Sequence, residues 1–476
     1  MPPLEVRPSR LLIIKYLYPY LSLLIIPVIR GVFTYRTHSW PRFFIAEALF
    51  ALFALAVAIA KWHRFHLVVD ETQLKIKKGL FYRSEFSLFA NDIALIAIDK
   101  QPFLSLFSAR GLRVYVETGS RRKAHIDIPV NIKAAEYILS IYRNKSSRQV
   151  YKGSFGSLFL MSAMVSTAAT GLLIMAPIVN RAGKLLGTSY NTILNELNKA
   201  SEYLPNIIPT TARVISIVLL LGYLVAFLNS LLRNINFKVY KVSDIMVITA
   251  GVLPNRTIIL NVPDIKAISV IQNPAMQLLG RYTVKFSMAG YGLAKGESGI
   301  LLPCVRKGKI EKFINNYLPQ FHYEEIQHRP PSRSFGRFIT PSIITALLII
   351  PVQKLLAGIL PEFAELIDFC GLISILIAFF YGITRVRQYA CGGVTLDSTL
   401  NMITGQFYSL VQIRAAKNDV EYFRIIRYPF DRMVRLCRLK IALRCKNRNL
   451  LAFSALDYES LRKSLLEQYG LFHKIK

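Results

Sequence analysis

Six stretches of the chain are almost wholly apolar: residues 11–30, 43–60, 157–179, 212–231, 341–360 and 367–383. About 20 helical residues cross the hydrocarbon core of a bilayer, so each stretch predicts a membrane-spanning helix. They fall in three pairs. After each pair the pattern changes to short runs in which apolar and polar positions alternate, the period of strands with one buried face. The chain therefore divides into helices 1 and 2 (1–60), a first soluble module (61–150), helices 3 and 4 (151–232), a second module (233–330), helices 5 and 6 (331–384) and a third module (385–476). The fifth stretch carries Pro341, Pro351 and Lys354. Spanning helices tolerate proline better than soluble ones do. Lys15 lies near one end of the first stretch, where its ammonium reaches the interface.

The soluble modules follow one script. A strand-like stretch leads to a glycine turn: Lys78-Gly79-Leu80-Phe81, Ala250-Gly251-Val252-Leu253 and Thr404-Gly405-Gln406-Phe407. Glycine supplies the positive φ of a tight hairpin. A further apolar strand ends at an acidic residue, in Asn91-Asp92-Ile93, Pro263-Asp264-Ile265 and Asn418-Asp419-Val420, 13, 13 and 14 residues after the glycine. A proline follows 10 residues later in all three copies, at Pro102, Pro274 and Pro429. Alternating apolar residues then mark another strand, with Val114 and Val116 in the first copy and Leu439, Ile441 and Leu443 in the third. Helical patterns over 134–142, 310–318 and 458–469 close the copies. An amphipathic helix there would cover the open end of a small barrel or sheet.

The glycine turn, the Asp-Ile pair and the proline before a Leu-rich stretch resemble bacterial pleckstrin-homology-like (PH-like) membrane proteins of the second bacterial type. The resemblance spans nearly the whole chain. It implies three PH-like modules, each a partly open β-barrel of about seven strands with a C-terminal helix and each behind a helix pair. It also implies a hetero-oligomer with a smaller one-domain PH-like membrane protein. The third copy departs most, with Gly-Gln-Phe at the turn and Cys391-Gly392-Gly393 in its first strand.

Composition agrees with a multi-pass protein: 53% of the 476 residues are hydrophobic and only 18% are charged. The net charge of +32 has to be located before it is interpreted. Residues 61–156, 231–340 and 384–476 hold 49 of the 60 lysines and arginines. Cytoplasmic loops carry such an excess, so both termini and all three modules are expected in the cytoplasm of a bacterial cell and the helices in its inner (plasma) membrane. The five cysteines show no metal-like spacing and give no reason to expect disulfides. The first apolar run lacks a small-residue cleavage site and reads as an anchor.

The sequence shows no catalytic constellation, which predicts a non-enzymatic protein without a cofactor. His63 and His66 could bind a metal if that stretch were helical, but no third ligand lies near in sequence, and Lys61-Trp62-His63-Arg64-Phe65-His66 reads instead as an interfacial aromatic-basic segment. Gly290–Gly299 reads as a hairpin tip. The recurring Asp92, Asp264 and Asp419 fit turns that accept backbone N–H groups. The most distinctive polar feature is a run of Arg432, Arg435, Arg438, Lys440, Arg444, Lys446 and Arg448, in which Arg438, Lys440 and Ala442 alternate with Leu439, Ile441 and Leu443. Smaller clusters are Arg121-Arg122-Lys123 and Arg306-Lys307-Lys309. Basic groups near an anionic leaflet are drawn to it by about 1 kcal/mol each. Nucleic acid is not expected, because no aromatic stacking motif interleaves the cations. These features predict a membrane scaffold whose modules contact anionic lipid or partner subunits, in an assembly that would suit envelope stress or antimicrobial tolerance. The alternative is a transport or export component, with Lys15, Glu47 and Lys354 as the ionisable residues of a path.

Overall fold

A computed structural model of the protein describes residues 4–18, 40–70, 73–80, 82–116, 124–143, 148–167, 199, 210–252, 255–288, 299–406, 408–444 and 451–469. The chain forms two compact units. One comprises Met1–Lys152, Asn236–Asp264 and Ala289–Ala294, and the other comprises Gly153–Ile235, Ile265–Met288 and Lys295–Lys476.

The first repeat opens with β1 (Leu4–Val6) and helix α1 (Trp40–His63), followed by β2 (His66–Val69), β3 (Gln73–Lys78), β4 (Ser84–Phe89), β5 (Ile93–Lys100), a short α2 (Pro102–Leu106), β6 (Ala109–Val116), β7 (Ile126–Asn131) and α3 (Ile132–Arg143). The second has β8 (Arg148–Lys152), α4 (Phe155–Val165), α5 (Thr210–Asn234), β9 (Lys238–Val242), β10 (Ile245–Ala250), β11 (Asn255–Asn261), β12 (Ala267–Gln272), α6 (Pro274–Leu278), β13 (Arg281–Ser287), β14 (Ile300–Arg306) and α7 (Lys307–Tyr317). The third has α8 (Phe335–Ile359), α9 (Ala364–Cys391), β15 (Gly393–Leu396), β16 (Thr399–Gln406), β17 (Ser409–Ala416), β18 (Val420–Ile426), α10 (Pro429–Met433), β19 (Leu436–Leu443), β20 (Leu451–Asp457) and α11 (Tyr458–Tyr469).

The spacing motifs are corners of this fold. Asp92, Asp264 and Asp419 each end a three-residue 3-10 turn between two strands. Pro102, Pro274 and Pro429 each open a short helix, where the missing N–H costs nothing and the fixed φ suits the first turn. Gly79 and Gly251 take positive φ, +128° and +89°, as hairpin turns require. Gly405 does not: it lies inside β16 opposite Leu410. A Cβ there would come within 2.5 Å of Gln388 Oε1, so this glycine serves the close approach of α9 rather than a turn.

Each module has two sets of three strands, and in the first and third modules these face one another around an apolar core. In the first module Leu67, Leu74 and Leu88 pack with Ile96, Leu112, Val114 and Val130, and α3 covers them through Ala134, Ala135 and Ile138. In the third, Val394, Met402 and Ile413 meet Leu439, Ile441 and Phe453 beneath Leu461 and Leu465 of α11. The hydrogen-bonded sheets cross module borders, so the barrel expected of each repeat is not a separate closed unit. The sheet orders are β1-β2-β3-β4, β7-β6-β5-β11-β10-β9-β8, β14-β13-β12-β17-β16-β15 and β18-β19-β20. The second half of one module thus continues into the first half of the next. Each seam is tied by a buried ion pair. Asp99 meets Arg113 and Arg256, with Arg256 Nε 3.1 Å away, and Arg414 meets Glu311.

In the first two repeats a strand ahead of the described helices pairs with the strand that follows them. β1 binds β2, β8 binds β9, and the bridge His328–Val394 repeats the arrangement at β15. Two neighbours in one sheet lie on one side of a membrane, so the segment between His328 and Val394, which holds α8 and α9, crosses an even number of times. Among the described residues three helices are long and apolar enough to span: Ile215–Asn234, Ser332–Ile359 and Pro361–Cys391. The stretch 341–360 is helical despite Pro341 and Pro351, both inside α8. Ala48–His63 and Phe155–Val165 are shorter apolar helices. The remainder of 157–179 after residue 167 lies outside the described residues, as does 19–30.

Residues 11–18 of the first stretch are helical and pack against the first module. Leu12 belongs to its core, and Lys15 Nζ lies 3.0 Å from Asp127 Oδ2 on β7. Lys15 is thus engaged by the first module. The Glu47 side chain lies outside the described residues. His63 ends α1, whereas His66 lies in β2 with its Nδ1 3.1 Å from Glu5, so the two do not share a helix face.

Candidate functional site

β19 alternates as its sequence predicts over most of its length. Leu439 and Ile441 are fully buried, whereas Arg438 and Lys440 turn outward. Ala442 departs from the pattern, since it is buried at the strand end. Pairing with β18 sets Lys440 directly opposite Arg424 and Arg438 opposite Ile426. Like charges directly opposite one another disfavour the sheet unless an anion intervenes. Among the described residues no carboxylate pairs with Arg424, Arg432, Arg435, Lys440 or Arg444. Tyr428 lies under the Arg438 guanidinium, 5.5 Å to the ring centre, and Tyr458 lies 4.0 Å from Arg427. These contacts hold the two guanidinium groups in place without neutralising them.

α10 joins this face to the membrane-spanning helices. Pro429 starts it, and the Tyr428 N–H donates to Asp431 Oδ2 at 3.1 Å. Asp431 is buried and forms an ion pair with Arg337 in the first turn of α8. Burial on its own would raise the Asp431 carboxyl. The hydrogen bonds from Arg337 and Tyr428 and the charges of Arg337 and Arg438 outweigh it and leave the group below the usual carboxylate range. Arg333, just ahead of α8, pairs with Asp457 at the end of β20. Two arginines at the mouth of a spanning helix thus grip the third module. Phe338 of α8 continues the join into the module core beside Phe453.

A second feature recurs at the ends of the three short helices. The residue four after each helix-opening proline is a large apolar side chain turned to the outside: Leu106, Leu278 and Met433 are 80%, 82% and 83% exposed. Phe107, Leu279 and Val434 follow them and are exposed as well. Two of these tips are tied to spanning helices, α10 through Asp431 and Arg337, and α6 through Gln277 Oε1, which accepts from Arg387 of α9 at 2.9 Å.

Of the residues singled out in the sequence, Arg432, Arg435, Arg438, Lys440 and Arg444 come together on or beside β19. Lys446, Arg448, Arg121, Arg122 and Lys123 lie outside the described residues. Arg306, Lys307 and Lys309 sit at the β14–α7 junction instead. The sequence reading missed Arg424, which alternation along β18 would have flagged, and the three tips, legible in the proline spacing. A separate cleft of about 670 Å3 in the first unit is lined by Lys100, Arg110 and Lys238 among uncharged residues. Among the described residues no group of three or more His, Cys, Asp or Glu is placed to hold a metal ion.

A family model described as Bacterial PH domain matches residues 11–146 and 192–320. The UPF0699 transmembrane protein YdbT of Bacillus subtilis (strain 168) is 24% identical over 346 residues, 67% of this chain and 70% of that protein. Neither description denotes an enzyme. No solved structure matches.

Proposed function

The chain belongs to the bacterial PH domain family, and on that premise we propose that it is a non-enzymatic membrane scaffold whose modules rest on the inner leaflet of the plasma membrane and hold anionic headgroups on the basic face of the third module. The observation that carries this reading is the set of cations that meet no carboxylate among the described residues, beside an exposed apolar tip anchored to α8. Arg424, Arg432, Arg435, Lys440 and Arg444 supply the charge, while Phe430 and Met433, 80% and 83% exposed, supply an apolar surface that a bilayer interface would cover. At about 1 kcal/mol for each basic residue near an anionic surface, five such groups would contribute on the order of 5 kcal/mol before ordering costs. The cytoplasmic side follows from the concentration of basic residues in the modules. Envelope stress or antimicrobial tolerance is the setting in which such a scaffold would serve.

The test uses the full chain in vesicles, with Cys370, Cys391 and Cys445 replaced by serine and Met433→Cys carrying an environment-sensitive fluorophore. The expected result is a blue-shifted spectrum, quenched by spin-labelled lipid, in phosphatidylglycerol vesicles. The shift should shrink in high salt, because exposed charges are screened beyond about 10 Å at 0.1 M. It should shrink again in the Arg424→Gln/Lys440→Gln variant. A spectrum identical in zwitterionic and anionic vesicles, and unquenched in both, would overturn the lipid reading.

A further inference from the structure

The two seams between modules share one register. Counted from the corner aspartate of each repeat, the strand after it pairs with the strand before the next repeat's aspartate by a single rule. The residue k places after the first aspartate faces the residue k + 1 places before the second. At the first seam Leu95 faces Leu260, Ala97 faces Ile258 and Lys100 faces Asn255. At the second, Ala267 faces Ala415, Ser269 faces Ile413 and Gln272 faces Leu410. A series of three repeats joined in this way leaves one edge of each kind unused. These are β4, with β3 as its only strand neighbour, and β18, with only β19, among the described strands.

Burial at matching positions shows what these edges lack. Six places before the aspartate, Ile258 and Ile413 are 4% and 3% exposed, whereas Phe86 on β4 is 41% exposed. Three places after it, Leu95 and Ala267 are 1% and 2% exposed, whereas Tyr422 on β18 is 49% exposed. Large aromatic side chains stand open where the seams bury their counterparts. Unpaired edges with apolar side chains are templates for another strand.

We infer that β18 of one copy of this chain pairs antiparallel with β4 of a second copy, in the register of the seams. The rule places Tyr422 opposite Leu88, Arg424 opposite Phe86 and Ile426 opposite Ser84. Arg424 thereby meets an aromatic ring across the strands, a favourable pair. The occupant is a second copy because the rule joins unlike edges, each chain carries one of each, and neither has a second strand neighbour among the described strands. Such a head-to-tail contact propagates into a ring or a string of chains held in one membrane plane. The inference stands apart from the lipid reading and needs no ligand.

The test co-expresses two differently tagged full-length chains in one membrane, both with Cys370, Cys391 and Cys445 replaced by serine. One carries Phe86→Cys and the other Arg424→Cys, both at exposed positions. A second pair, Ser84→Cys with Ile426→Cys, probes the same register, so that a folding defect in one variant does not decide the outcome. Oxidation should give a disulfide-linked adduct bearing both tags. Its yield should exceed by on the order of tenfold that of Phe86→Cys with Ile425→Cys, since a one-residue slip turns the side chain to the other face. No adduct with either pair would overturn the inference. So would linkage confined within single chains carrying both cysteines, or capture of the Arg424→Cys thiol by a chain of different mass.

Discussion

Replacing Glu311 by alanine tests how the seam between the second and third modules is held. Arg414 on β17 is 1% exposed, and its guanidinium receives Glu311 from α7 in a two-point contact, Nη1–Oε2 at 2.9 Å and Nη2–Oε1 at 2.6 Å. Removing one partner of a buried pair leaves an uncompensated charge and typically costs about 3–5 kcal/mol. Two features place Glu311→Ala at the lower end. The guanidinium keeps the Phe321 carbonyl at 3.3 Å and the Gln412 side chain at 3.4 Å, and it lies over Tyr323. The expected loss is therefore about 3 kcal/mol, which for a unit of this size lowers the unfolding midpoint by roughly 6–12 °C. Thermal unfolding in detergent at a fixed scan rate reads it. Arg414→Met on the Glu311→Ala background should recover most of the loss, because an apolar side chain of similar length needs no counter-charge. A Glu311→Ala shift of only about 1 °C, or a double variant less stable than Glu311→Ala, would refute the reasoning.

Gly393→Ala should disrupt the start of the third module: at φ +153° its Cβ would lie 2.3 Å from Ile326 Cγ2 and 2.5 Å from the His328 carbonyl. Limited proteolysis between 326 and 334 should accelerate, whereas Gly308→Ala, with nothing within 4 Å of its Cβ, should be tolerated in the same assay. Burial pushes the His328 ring below its ordinary pKa, with the Asp457 charge acting the other way. Its contribution to stability is therefore present above about pH 6.5 and is lost as pH falls, so the drop in unfolding midpoint between pH 7.5 and 5.5 should be smaller in His328→Gln than in the parent. Burial pushes the Cys437 thiol up to about 12, the Arg427 charge opposing and the Asp457 and Asp431 charges assisting. In native membranes at pH 8 a maleimide should label Cys391, which is exposed at the end of α9, and reach Cys437 only after denaturation. Because the folded thiol is the weaker acid, its share of stability persists below about pH 9 and fades as pH rises toward 12.

Much of the architecture was legible along the chain because it rests on local chemistry. Apolar run length marked 212–231, 341–360 and 367–383 as spanning helices, and the recurrence of the repeat supported the second of these in spite of its prolines. The Asp-to-Pro spacing located corner turns and short helices, since a chain reversing between two packed layers needs a turn and a helix start at set places. Alternation placed Arg438 and Lys440 on the outer face of β19.

The tertiary structure decided what depends on residues far apart in sequence. Alternation names a buried face but not the neighbour, so nothing in 93–100 indicates that β5 binds β11 rather than β4. Composition makes Lys15 and Arg337 look like interfacial cations, yet Asp127 and Asp431, more than 90 residues away, turn them into clamps. Gly405 repeats the motif but not the turn, because α9 passes close beside it. What the sequence by itself determined is the repeating unit, three of its long apolar helices and its outward charge, all set by periods of two and 3.6 residues and by run length. Which halves share a sheet, which edges stay open and which cations keep no counter-charge were settled only in three dimensions, where hydrogen-bond partners and counter-ions are chosen by proximity.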